Sequence, residues 1–286
     1  MALLLLATVN GQVVRFNTES LVHEVVFQSS EKDPLMGICQ NDKFFFVASL
    51  RRLYKISRKK GSLVSRTRSF IPTPGFHQMN IYDGSICTTA TKRNQIWIFN
   101  ENLQRIKKIK VAPPNPKKRV KYKLNYNHIN NIVRYHGCFY INLNWLTDEQ
   151  YGYSGVLKTD ADFNELDKFK FAWESHDFQF VDGKMMAICS TSGKDKKILH
   201  PNTSGLMVEG ELVWEHNPDE SFCKALCYND QHIFFCGGQK ASREKRKNTP
   251  GVIYMIDRST FKLIKKITDK QLLGVRGAIL DTQPDI

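Results

Sequence analysis

At 286 residues, with 41% hydrophobic residues that include 18 Phe, 10 Tyr and 4 Trp, the chain has ample apolar material for one large packed domain, which excludes a largely disordered chain. The formal charge of +14 favours anionic partners without specifying one, and no run approaches the roughly 20 apolar residues of a membrane-spanning helix. Seven cysteines, odd in number and without the close pairing of a zinc site, read as buried free thiols in a reducing compartment.

The first apolar run, Ala2 to Thr8, lacks a cationic lead and meets Asn10-Gly11 at once, so it reads as a strand and not as a signal peptide. The expected location is therefore cytoplasmic or virion-associated. Two more strands follow, QVVRFN and LVHEVVF. From Gly37 a pattern begins that recurs along the chain: an apolar strand, a tight polar turn and an aromatic-rich strand, GICQNDKFFFVAS. It returns as MNIYDGSICTTA from Met79, NIVRYHGCFYINL from Asn131, FQFVDGKMMAICS from Phe178 and ALCYNDQHIFFCG from Ala225. The turns Asn41-Asp42, Asp83-Gly84, His136-Gly137, Asp182-Gly183 and Asn229-Asp230 use residue types that accept the positive φ of two-residue hairpins.

Each hairpin is followed by a second alternating pair, such as RLYKIS with SLVSRTRSF or VIYMID with FKLIKKIT, giving four strands per unit, a to d. Successive turns lie 42 to 53 residues apart, between positions 41 and 83 and positions 83 and 136 at the extremes. That spacing suits a four-stranded propeller blade. The N-terminal strands supply b, c and d of a blade with no a, and Arg276 to Leu280 is a lone strand that can complete it. The predicted fold is an all-β, six-bladed β-propeller in one domain, 1–286. Its blades run approximately over 33–70, 76–111, 127–173, 175–217, 222–268, and 275–286 together with 1–28.

On these repeats the chain resembles the six-bladed β-propeller superfamily. Its His128-Ile129-Asn130-Asn131-Ile132 and Trp173 to Asp177 stretches are similar to ones in uncharacterised bacterial and phage-encoded propellers with an H-I-N-[NS]-I stretch. The resemblance implies a fold and leaves the activity open.

Long connections mark one face. They fall in the d–a segment 112 to 127 and in the b–c segments 147 to 153, 194 to 204 and 239 to 250. Three of them hold Lys117, Lys118, Arg119, Lys121 and Lys123; Lys194, Lys196 and Lys197; and Lys240, Arg243, Lys245, Arg246 and Lys247, offset only by Asp195 and Glu244. These loops read either as a surface for an anionic ligand or acidic partner, or as solvated tips. Nucleic acid fits the charge, but no nucleic-acid motif accompanies it.

Aligning the units on their a–b turns gathers Leu35, His77, Asn130, His176 and Cys223 at one level, with Arg276 nearby. Asp33, Gly75, His128, Glu174, Ser221 and Gly274 fall two residues earlier. Both sets belong at the channel mouth. Three readings stay open there. His77, His128, His176 and Glu174 could hold a divalent transition metal for a hydrolase or lyase. A funnel of His77, His128, Asn130, Glu174, His176 and Arg276 could bind an anion directly, or the same groups could simply satisfy one another. By strand parity Asp177 and Lys224 point away from the channel, and Asp177 is expected to bond the next blade. There is no G-x-S-x-G, H-E-x-x-H, phosphate loop or dinucleotide fingerprint. A structural role in a larger, viral assembly is the remaining reading.

Overall fold

The computed structural model describes residues 2–30, 33–111, 127–146, 153–190, 201, 203–242 and 245–282, of residues 246 and 247 the backbone only. Six antiparallel four-stranded sheets follow one another as meanders. They are β4 to β7 (Leu35–Gln40, Phe44–Ser49, Leu53–Ser57, Leu63–Arg66) and β8 to β11 (Phe76–Tyr82, Ser85–Ala90, Gln95–Phe99, Arg105–Lys110). Next come β12 to β15 (Ile129–Tyr135, Cys138–Leu143, Tyr153–Thr159, Glu165–Trp173) and β16 to β19 (His176–Val181, Lys184–Cys189, Ser204–Val208, Glu211–His216). The fifth is β20 to β23 (Ser221–Tyr228, His232–Gln239, Pro250–Asp257, Leu263–Leu273). The sixth joins the two ends of the chain. Its inner strand β24 (Val275–Leu280) pairs with β1 (Leu3–Thr8), Leu4 opposite Leu280, followed by β2 (Gln12–Asn17) and β3 (His23–Gln28). The protein is a six-bladed β-propeller closed by its C-terminal strand.

The core consists of six wedges, one between each pair of neighbouring blades. In β1, Leu4 and Leu6 pack against the blade of β20 to β23, while Leu5 and Ala7 face the blade of β4 to β7. In β5, Phe46 and Ala48 turn to one neighbour and Phe45 and Val47 to the other. A strand covered on both faces must be apolar at every position, which is why LLLLA and FFFVA are unbroken runs. The outer strands lie at the rim, and β7 and β11 are mostly exposed. Their Lys and Arg residues, as in RIKKIK of β11, discourage edge pairing between molecules.

Three a–b hairpins close as expected, with left-handed φ at both turn residues: Asp83 and Gly84, His136 and Gly137, Asp182 and Gly183. The expectation fails at Asn41-Asp42 and Asn229-Asp230. There the asparagine Oδ1 accepts from the backbone N–H of Lys43 and Phe44, and of Gln231 and His232, which builds a longer turn without positive φ. All seven cysteines are free and six are buried, and burial pushes the thiols of Cys87, Cys189 and Cys223 up to about 12.

Around the axis, three inner strands approach backbone to backbone. A Cβ on Gly37 would stand 2.4 Å from the His77 carbonyl oxygen, and one on Gly277 would stand 3.0 Å from Gly37 Cα. Gly37→Ala is therefore expected to cost about 1–3 kcal/mol by forcing β4 and β8 apart. An unchanged urea midpoint would show that the two strands separate freely.

Candidate functional site

Every inner strand carries an irregularity at the same level. Pairing with the second strand skips between Leu35 and Gly37, Phe76 and Met79, and Ile129 and Asn131. It skips again between His176 and Gln179, Cys223 and Ala225, and Val275 and Gly277. Each skip is a β-bulge, which inserts one extra residue, bends the strand and re-aims a side chain. Six bulges at one height turn Met36, His77, Gln78, Asn130, Asp177, Lys224 and Arg276 toward the axis. With His176 they wall a pit of ≈ 10 Å³, about the space of one water molecule. The pit lies where the inner strands begin, the end from which the d–a and b–c connections emerge.

Its charge comes from two permanent cations, Lys224 and Arg276. The Lys224 ammonium stands 5.1 Å from the centre of the Phe222 ring. Burial lowers the His77 pKa to about 4, helped by the charges of Lys224, Arg276 and Lys92 and opposed by the Gly75 carbonyl. His128 and His176 are held well below 6.5, first by burial, then by the neighbouring His77 at His128 and by Lys224 at His176. At neutral pH all three imidazoles are uncharged. His77 Nδ1 lies 3.0 Å from Gly75 O and 3.0 Å from Thr91 Oγ1, and that hydroxyl is itself spent on the Ile129 carbonyl. These acceptors assign the proton to Nδ1 and leave Nε2 as a lone pair.

Asp177 is the negative counterpart. Its Oδ2 accepts from the Leu226 backbone N–H at 2.6 Å and its Oδ1 from Gln179 Nε2 at 3.2 Å, yet burial raises its pKa to about 7. The expected bond to the next blade is thus present, although Asp177 also reaches the pit. Asn131, on the preceding blade, makes the equivalent clasp with both backbone groups of Phe178. Asn130 donates to the Ser175 carbonyl and to Asn144 Oδ1, and its own Oδ1 has no partner among the described residues.

Of the six expected funnel residues, His77, Asn130, His176 and Arg276 share the pit. His128 is not in its walls; its ring meets His77 edge-on at 5.3 Å and lies 5.4 Å from Trp145. Glu174 also stands outside, as does Asp33. At Gly75, His128 and Glu174 the backbone is left-handed, with φ of 65°, 47° and 38°, so this layer turns the chain into the bulge and does not line the channel. Leu35 and Cys223 belong to the wedges, and Met36 and Lys224 take their places. The reason is physical: the longer Asn41 and Asn229 turns move the register by one, and a bulge breaks the alternation on which parity rests. Lys224 and Gln78 were missed on that account.

The metal set also needs correction. Among the described residues no group of three His, Cys, Asp or Glu side chains converges as ligands, so His77, His128, His176 and Glu174 form no cage. Most of the basic surface, Lys117, Lys118, Arg119, Lys121, Lys123, Lys196, Lys197 and Arg243, lies outside the described residues, as do the side chains of Arg246 and Lys247. Lys245 is described and exposed. Among the described residues no helix is long and apolar enough to cross a membrane.

No family model and no curated protein matches the sequence. Solved structures are similar in fold. A protein of unknown function from Bacteroides caccae shares 13% identity at a TM-score of 0.64, over 99% of this chain and 100% of that one. A chain of a nidogen/laminin complex shares 10% at 0.67, over 99% and 100%. The WD40 propeller domain of Doa1 shares 10% at 0.56, over 96% and 81%. At such identities the likeness is one of fold alone.

Proposed function

We propose that this protein is a binding propeller whose channel mouth receives one oxygen of an anionic group, a carboxylate or phosphate carried by a larger ligand or an acidic partner. The observation that supports this best is the convergence of Lys224 and Arg276, from separate blades, on a pit whose imidazoles are neutral. Two cations held by bulges in a largely desolvated site attract an anion more strongly than the same charges in water. The pit is too small for a whole metabolite, so the reading is of a terminal group inserted from the face that also bears the basic connections. Lys117 to Lys123, Lys196, Lys197 and Arg243 to Lys247 would extend the positive field outward. Binding of this kind needs no metal and no turnover.

Calorimetric titration with inorganic phosphate and with citrate tests the reading. Lys224→Met and Arg276→Met are each expected to weaken binding about tenfold or more, the loss of one charge-assisted contact. Affinity should also rise below pH 7, as Asp177 takes up a proton and an anion favours protonated His77. Absence of heat with both probes at low ionic strength, or wild-type affinity in both variants, overturns it.

A further inference from the structure

Below the bulge layer the channel widens into a second cavity of ≈ 350 Å³, at the a–b turn end. Such a volume is within the range of small-molecule sites. Its walls combine aliphatic surface, notably Ile81, Leu226 and Ile279, with Gln40, Asn80, Gln179, Tyr228 and Thr282. No Asp, Glu, Lys, Arg or His is among its lining residues.

The polar groups share one orientation. Gln40 Nε2 donates to Leu280 O at 2.6 Å and to Thr282 Oγ1 at 3.1 Å. Asn80 Nδ2 donates to Ile132 O at 2.7 Å, and Gln179 Nε2 to Asp177 Oδ1 at 3.2 Å. Tyr228 spends its hydroxyl proton on Phe180 O at 3.1 Å. Because backbone carbonyls only accept, the amides of Gln40 and Asn80 are fixed with nitrogen outward and oxygen left over. Gln40 Oε1 is enclosed without a donor, and Asn80 Oδ1 and Gln179 Oε1 have none among the described residues. The cavity therefore offers the Asn80 and Gln179 carboxamides, each with an oxygen and a second N–H not used within the described residues, together with the Thr282 hydroxyl and apolar surface, and it holds no charged group.

We infer that this cavity is a site for an uncharged polyhydroxyl ligand, the end of a neutral sugar or a similar polyol. Sugar hydroxyls donate to the Asn80 and Gln179 carboxamide oxygens and accept from the same amides, and the C–H face of a sugar ring covers Ile81, Leu226 and Ile279. An anion finds no cationic partner here. A cation is disfavoured by Lys224 and Arg276 one layer above.

The test is saturation-transfer NMR on the full chain with D-glucose, D-galactose and maltose as probes. At least one sugar is expected to receive saturation. Gln179→Leu and, by filling space, Ile81→Trp should each weaken it about tenfold, the worth of one hydrogen bond or of lost fit. Circular dichroism identifies a variant that has not folded, and either folded variant suffices. Lys224→Met should leave the sugar signal unchanged, which separates this site from the anion pit. Three silent sugars, wild-type binding in the folded variants, or transfer to acetate or methylammonium in place of sugar overturns the inference.

Discussion

Asp281→Ala is expected to destabilise the propeller by about 3–5 kcal/mol, the usual result of removing one member of a buried ion pair. Asp281 directly follows the closing strand, and its side chain is 0% exposed. It accepts from Arg15 Nε at 2.8 Å, within its own blade, and from Arg58 Nη2 at 3.2 Å on the next. Its backbone N–H bonds Leu3 O, so a single residue ties both chain ends and a neighbouring blade together. Burial alone would lower the Arg15 pKa, but the bonds to Asp281 and then Glu24 more than reverse it. Deleting the carboxylate would leave the nearly buried Arg58 guanidinium with the Asn41 carbonyl and the face of the Phe45 ring among the described residues. The control is Asp83→Asn, since asparagine tolerates the left-handed φ of 49° at this turn position as aspartate does. Asp83 pairs with Arg134 but is 81% exposed, so the change should cost no more than about 1 kcal/mol. Urea unfolding of both variants decides the matter, and equal losses would mean that ring closure does not depend on this clasp.

The fold was legible because a blade writes itself into sequence twice, as an apolar run wherever a strand is covered on both faces and as a polar turn after it. FFFVAS and IFFCGG announce second strands without ambiguity, and the unpaired ALLLLAT and Val275 to Leu280 could only complete each other. The site was legible in outline only. Turn dipeptides look alike, but Asp83-Gly84 closes a two-residue hairpin and Asn41-Asp42 a longer one, so positions counted back from them drift by one residue. Counting from the start of the second strand does not drift in three blades. There the bulge lies opposite the fifth and sixth residues of β5, β13 and β21, between Ala48 and Ser49, Asn142 and Leu143, and Cys236 and Gly237. Bulges themselves leave no sequence mark, since Met36, Asn130, Lys224 and Arg276 share no property except their place. That is why Lys224, half of the pit's permanent charge, was assigned to the wrong side.

Acidification should weaken the protein before the carboxylates of an ordinary domain begin to titrate. His77 and His216 have pKa values of about 4, lowered chiefly by burial, against an ordinary 6.5. Between those values the unfolded chain takes up protons that the folded one refuses, so stability present above pH 6.5 is lost as pH falls. Linkage puts the loss at about 2 kcal/mol per histidine at pH 5 and about 3 at pH 4. His128 and His176 act in the same direction. Asp177 opposes them: its pKa of about 7 makes the folded state hold a proton that the unfolded state releases, so it regains about 2 kcal/mol between pH 7 and 5. Four histidines outweigh one aspartate, and the net effect is a loss. Urea unfolding at pH 7, 6 and 5 should show it directly. Asp177→Asn keeps an acceptor for Leu226 but removes the compensation, and should steepen the decline by about 2 kcal/mol over that range. His216→Phe should flatten it by a similar amount. Its ring is already packed against Trp214, Phe235 and Tyr254, so the substitution preserves the stacking; it also removes the Nδ1 contacts with Asn217 O and Ser221 Oγ, a loss that lowers the whole curve and leaves its slope to report the titration. If wild type and both variants decline in parallel, the buried imidazoles are not what makes this propeller sensitive to acid.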